Sequence, residues 1–292
     1  MGLIQFRAGR MSLAALRGRS LDRLLFMVIA AVIAWLPASA VSGMEIEPFQ
    51  TRNQNPLIRI YGLPTIGSAS VVPEGRLEAS LTADLANSFA PDLRLNESVM
   101  LDGEGYAFTL SARYGIARDL EVGLDIPYLF NSGGFMDGFI EGFHDFFGLP
   151  QGDRKSYPKD RLLYHYTDNG VTRVLVNEGS SGIGDIRLRG AWQIWRDGRG
   201  APLNMALHAA LKLPTGNDHR LYGSGSTDFS LWLTASDDYP LPLGHLTLYG
   251  AAGGLVMTNG DVMRDQQRNL VGFGSLGIGW SPLEWLALKI QT

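Results

Sequence analysis

Leu77-Glu78-Ala79-Ser80-Leu81-Thr82-Ala83-Asp84-Leu85 places an apolar side chain at every second position and a polar one between. A period of two belongs to an extended strand, because successive side chains leave opposite sides of the chain. The pattern returns at Tyr106, Phe108, Leu110, Ala112 and Tyr114, and again at Leu120, Val122, Leu124, Ile126 and Tyr128. Ile186, Leu188, Gly190, Trp192 and Ile194 form a fourth row against Asp185, Arg187, Arg189 and Gln193. Met205 to Leu213 form a fifth against Asn204, His208 and Lys212. Phe229 to Ala235, His245 to Val256, Leu270 to Trp280 and the residues from Glu284 onward bring the strands to about nine.

The connections decide what kind of sheet this is. Arg118-Asp119, Arg196 to Pro202, Asp237 to Gly244 and Ser281-Pro282 are compact, whereas Ala86 to Gly105, Asn131 to Ser181, Pro214 to Thr227 and Thr258 to Asn269 are longer, and the two kinds alternate. Apolar-polar alternation with short turns at one end and long loops at the other predicts an all-β fold, an antiparallel transmembrane up-and-down β-barrel over residues 75–292. Compact turns then face the periplasm. Tyr114, Trp192, Trp195, Trp280 and Trp285 mark one interface, and Tyr106, Tyr128 and Phe229 the other. The ninth strand points outward, and single-chain bacterial barrels have even strand counts. The expected full-length barrel therefore has 10 to 12 strands, incomplete at the C-terminus of residues 75–292.

One apolar run stands apart, Leu24 to Leu36, preceded by Arg7, Arg10, Arg17, Arg19 and Arg23 and followed by Pro37-Ala38-Ser39-Ala40. It is short for a span and ends in a small-residue site, which predicts a signal peptide over residues 1–40 and a periplasmic N-terminal segment over 41–74. Cleavage after Ala40 removes five Arg and one Asp from 25 basic and 29 acidic residues, leaving 20 and 28, a net charge of −8. That balance does not suit a nucleic-acid partner. Without cysteine the chain has neither disulfides nor thiolate metal ligands. The compartment implied is the bacterial outer membrane, and the partners implied are outer-membrane lipids with the barrel-assembly and export machinery.

Arg52-Asn-Gln-Asn-Pro-Leu-Ile-Arg-Ile-Tyr-Gly-Leu-Pro64, Gly134-Phe-Met-Asp-Gly-Phe-Ile-Glu-Gly-Phe-His-Asp-Phe-Phe-Gly-Leu-Pro150, Leu211-Lys-Leu-Pro-Thr-Gly216 and Gly223-Ser-Gly-Ser-Thr-Asp228 resemble a bacterial family known as domain of unknown function 3187. The resemblance runs from about residue 50 to the end. It implies an outer-membrane barrel that continues past Thr292 and carries no assigned activity. Gly-Ile-Gly-Asp185, together with Leu-Pro-Thr-Gly and Gly-Ser-Gly, is more loosely similar to outer-membrane barrels associated with phenol-degradation pathways.

Three groups of residues could carry function. Glu121, Asp125, Arg187, Arg189, His208 and Lys212 fall on the luminal parity of neighbouring strands, where they either brace the lumen or form a charge-selective constriction. In the long loop the period changes to that of a helix over Phe135 to Phe147. Phe135, Phe139, Phe143 and Phe146 share one side; Asp137, Glu141, His144 and Asp145 share the other. This predicts a short amphipathic helix whose Phe side docks toward the barrel mouth as a lid or packing element, and whose acidic side either binds a cation or stays solvated. Asp218, His219, Ser226 and Asp228 are the rim residues that a hydrolase would draw on, though Gly-x-Ser-x-Gly is absent. Gly272-Phe-Gly-Ser-Leu-Gly277 has dinucleotide-binding spacing but continues as strand, so no cofactor is expected.

The resulting expectation is a passive channel or uptake barrel for a small, apolar molecule. The alternatives are a rim-located hydrolase or lipid-modifying enzyme, and a structural barrel without cargo. On this register a charge at Leu124, Leu188 or Leu207 faces lipid, whereas lysine at Ser111 or Thr234 faces the lumen and is expected to be tolerated.

Overall fold

The computed structural model describes residues 46–196, 203–283 and 285–292, which all belong to one compact unit. The expected signal peptide with its cleavage at Ala40, most of the compact turn Arg196 to Pro202, and Glu284 lie outside the described residues.

The alternating segments are strands: β1 Leu77–Leu93, β2 Glu97–Ala117, β3 Leu120–Ser132, β7 Arg187–Arg196, β8 Asn204–Lys212, β9 Asp228–Pro240, β10 His245–Met257, β11 Leu270–Leu283 and β12 Leu286–Gln291. Each pairs antiparallel with the next in this order, from β1 to β12, so the nine expected strands form one continuous meander. Among the described residues no ladder joins β12 to β1, and the sheet is not closed into a barrel.

Among the described residues the count is twelve strands, because the long connection holds three more. β4 Leu163–Asp168 pairs with the end of β2, β5 Val171–Val176 pairs with β4, and β6 Ser180–Ile183 pairs with β3. Helix α1, Asp137–Phe147, is in the same connection, and Gly148 closes it in the left-handed conformation (φ 65°). A second difference concerns Ala86 to Gly105, expected as a loop. It is strand throughout except for Arg94-Leu95-Asn96. Beyond Leu85 the strict alternation stops, with Asn87, Ser88, Pro91 and Asp92 falling on both faces, and without alternation an extended segment looks like a loop.

The two faces of the meander are inverted relative to a water-soluble sheet. Leu110, Val122, Leu188, Trp192, Leu231 and Leu248 are exposed on one side. Thr109, Glu121, Asp125, Gln193, His208 and Thr247 are buried on the other.

What buries the polar face is residues 46–74. The segment rises from Ile46, which lies against Gly279 of β11, through Phe49, whose N–H donates to Gln291 of β12. It turns over residues 56–61 at the long-loop end, where the Tyr61 hydroxyl donates to the Val262 carbonyl. It then descends to Val72 at the compact-turn end and enters β1, bridging Glu74 to Gly115. A Cβ on Gly115 would lie 2.2 Å from the Pro73 carbonyl oxygen, so glycine is what lets the segment pass under β2 there.

The same contacts require the sheet to curl. Phe49 meets β12 while Arg52, three residues on, reaches Asp125 of β3. Those strands are six steps apart, about 29 Å across a flat sheet at the usual strand spacing. Three residues span at most about 10 Å, and two side chains do not make up the difference.

Candidate functional site

Lys212 is the centre of the polar face. Its ammonium donates to Asp185 Oδ2 (2.5 Å), Ser224 Oγ (2.8 Å) and the Ser226 carbonyl (2.8 Å), and stands 3.4 Å from Asp228 Oδ2. All three donors are used and the group is 1% exposed. Asp185 also accepts from the Gly216 and Ser224 amides, and Asp228 accepts from Ser226 Oγ (2.5 Å) and the Gly62 amide (2.6 Å). The loop motifs Gly-Ile-Gly-Asp185, Leu-Pro-Thr-Gly216 and Gly223 to Asp228 therefore meet at one buried ammonium. Glycine is needed here: a Cβ on Gly223 would lie 2.2 Å from Asp185 Oδ1, and one on Gly62 2.6 Å from Asp228 Cβ.

The other residues of the expected constriction all lie on this face, and each engages the N-terminal segment or a neighbour that does. Glu121 accepts from the Val72 amide (2.7 Å), and Asp125 binds Arg52 (3.2 Å) and lies 3.7 Å from Arg189. Arg187 donates to the Tyr61 carbonyl (3.4 Å). His208 donates through Nε2 to the Ser68 carbonyl (3.0 Å) and stacks on Trp232, whose indole N–H donates to the Ile66 carbonyl (2.6 Å). Gln193 accepts from the Val71 amide and donates to the Ala69 carbonyl. The wall's polar side chains thus satisfy the backbone of a segment with no secondary structure of its own. Burial lowers the pKa of both Arg52 and Arg59; the charge of Asp125 raises that of Arg52 in part. Gly67, at φ 79°, sits where a Cβ would come 3.3 Å from both Arg189 and His208.

Thr234 lies on the polar face as expected, but the expected tolerance of lysine there is corrected: Thr234 is buried and donates to the Ser68 carbonyl (3.4 Å), so a lysine would displace the segment. Sequence alternation marks a luminal position and does not reveal what fills the lumen.

α1 forms where the helical period placed it, but the facing is reversed. Phe135 and Phe139 are 69% exposed, Phe146 is 83% exposed, and Phe143 and Phe147 are also exposed. Asp137 and Glu141 are the buried side. The Phe side is not docked on the mouth. Asp137 accepts from Asn87 (3.0 Å), Arg154 (2.8 Å) and the Asp160 amide (2.8 Å), and Glu141 pairs with Lys159 (2.6 Å). Glu104 receives the Phe135 and Met136 amides that lead into the helix. Asn87 and Glu104 are a cross-strand pair two residues beyond Leu85 and Tyr106, hence on the apolar, outward parity of the sheet. α1 therefore rests its polar side on the outer surface of β1 and β2. Its acids have amide and cationic partners, and a hydrogen bond from Lys155 lowers the pKa of exposed Asp145. No acidic or histidine cluster suited to a metal occurs among the described residues.

The rim residues are not brought together as a hydrolase would need. Ser226 bonds Asp228, which is committed to Lys212; His219 lies exposed on a short turn and makes no hydrogen bond to either. Gly272 to Gly277 lie in β11, and a Cβ on Gly277 would lie 2.2 Å from the ring of Tyr249.

A family model described as protein of unknown function (DUF3187) matches residues 24–292, and the chain belongs to that family. No curated protein matches the chain.

Proposed function

We propose that this DUF3187 member is an outer-membrane β-barrel whose lumen is held shut by its own residues 46–74, and that it admits a small solute when the segment moves aside. The observation that carries the reading is the pairing of an apolar exposed face with a charged buried one. Apolar side chains in water on nine strands are costly, whereas in lipid they are at home. A segment held by side chain-to-backbone bonds, each worth roughly 0.5–1.5 kcal/mol, is strong enough to rest closed and weak enough to be displaced in parts. The lining is polar and charged, which favours a polar solute over the apolar one expected from sequence. The partners of this reading are lipids around the wall and the export and assembly machinery that places it there. Planar-bilayer conductance of the full-length protein tests it: a closed state with rare openings is expected, and a protein that stays silent under every condition, segment removed included, is a structural barrel instead.

Facing is testable separately. Leu188→Lys, at mid-height on the outward side, should lower stability in bilayers by about 2–4 kcal/mol. Ser111→Asp, on the inner side, should cost less than about 1 kcal/mol, because it faces a space bordered by Arg52, Arg59, Arg187 and Arg189. Equal losses in unfolding titrations would reject the assignment of faces.

The same reading puts the Phe side of α1 in the lipid interface, as for a helix lying in the membrane plane. Phe146→Trp should then emit at shorter wavelength in vesicles and be quenched by brominated acyl chains. Emission like that of an indole in water would remove α1 from the membrane.

A further inference from the structure

Inside the curled sheet lies a cavity of about 50 Å³ bordered by four arginines, Arg52 and Arg59 from the N-terminal segment and Arg187 and Arg189 from β7, with the hydroxyls of Thr109 and Ser111 alongside. By this measure of volume a water needs about 10–15 Å³, so the space suits a few waters or one tetrahedral group. Its charges do not balance. Asp185, on the lining, is committed to Lys212. With Asp228 sharing the same ammonium, and with Asp84 on the lining and Asp125 beside it, four carboxylates stand against four guanidiniums and one ammonium, leaving one positive charge in excess.

The shortfall has an address. Arg187 is 5% exposed; among the described residues its side chain donates to the Tyr61 carbonyl and has an Nε without a hydrogen-bond partner. Arg59 donates to Asn131 Oδ1, and its Nε is also unpartnered. Neither forms an ion pair with a carboxylate among the described residues. A buried guanidinium with spare donors and no counter-ion is costly, and the planar donor fork of arginine matches oxyanions in particular.

We propose that this cavity binds a small tetrahedral oxyanion, of the phosphate or sulfate class, which ties the N-terminal segment to the wall through Arg59 and Arg187. The inference rests on the segment lying inside the sheet and not on conduction. The oxyanion acts as a removable clasp: bound, it bridges the two elements; lost, it leaves like charges facing each other and loosens the segment.

The test is calorimetric titration of the folded, detergent-solubilised full-length protein with inorganic phosphate, at ionic strength held constant with chloride. One saturable site is expected, with sulfate competing. Arg187→Gln and Arg59→Gln should each weaken binding by about tenfold to a hundredfold, the loss of one charged hydrogen bond. Arg173→Gln, on exposed β5, should leave it unchanged. If Arg187→Gln does not fold, Arg59→Gln decides, because that residue is not in the wall. Absence of phosphate binding against the chloride control, or unaltered affinity in the folded variants, overturns the proposal. Phosphate binding by a barrel that never conducts sinks the gated-channel reading and spares the site; conduction without phosphate binding does the reverse.

Discussion

Removing residues 46–74 from the full-length protein is expected, on the proposed reading, to give a conducting barrel that remains folded and heat-modifiable. The wall strands pair with one another along their whole length and do not need the segment for their ladders. Its loss strips partners from Glu121, Gln193, His208 and Asp228, but in an open lumen those groups hydrate. A milder version avoids deletion. The chain has no cysteine, so Ser68→Cys with Thr234→Cys creates a single pair across a contact where the Thr234 hydroxyl lies 3.4 Å from the Ser68 carbonyl. Oxidised protein should stay shut and reductant should restore openings. Equal currents in oxidised, reduced and deleted forms would mean that the segment is not the barrier.

Lys212→Met should be the most damaging single substitution, lowering stability by about 3–5 kcal/mol, because it leaves two buried carboxylates, Asp185 and Asp228, facing each other without a cation. The diagnostic is recovery. Adding Asp185→Asn and Asp228→Asn removes the uncompensated charge and should return most of the loss, since a buried ion cluster contributes little net stability when replaced as a whole. Urea titration of the single and triple variants measures both. A loss below about 1 kcal/mol in Lys212→Met would show that the ammonium is a bystander.

The wall was legible because its rule is local: period two, interrupted by turns, needs only near neighbours in sequence. The N-terminal segment obeys no period. Asn53, Asn55, Pro56, Gly62, Pro64 and Gly67 break every template, and the bonds that fix it run from its backbone to side chains 49 to 242 positions away. Its trace in the sequence is indirect: charges of both signs at the polar parity of neighbouring strands, which the alternation alone reads as bracing or as a constriction. Arg187 and Arg189 are legible as polar-face positions, yet Arg52 and Arg59, which border the same cavity, carry no signal beyond a family-like motif. For α1 the amphipathic pattern identified two sides, but a pattern cannot say which solvent each side meets. Asp137 and Glu141 turned inward because Arg154 and Lys159 wait for them there.

The path of residues 46–74 also gives its attachment to the sheet a direction. Both limbs of the excursion begin and end toward the compact-turn side, and the descending limb is stitched to β2 through Glu74 and Gly115. The turn at residues 56–61 cannot leave through the long loops without tearing that stitch. A pull on residue 46 from the compact-turn side instead loads one bond at a time, Lys289 and Gln291 first, then Arg52, and the Ser68 and Val72 contacts last. Peeling of this kind requires far less force than shearing the same bonds together. On the proposed gated-barrel reading, the segment would act as a latch, stiff toward the long-loop end and compliant toward a pull on residue 46.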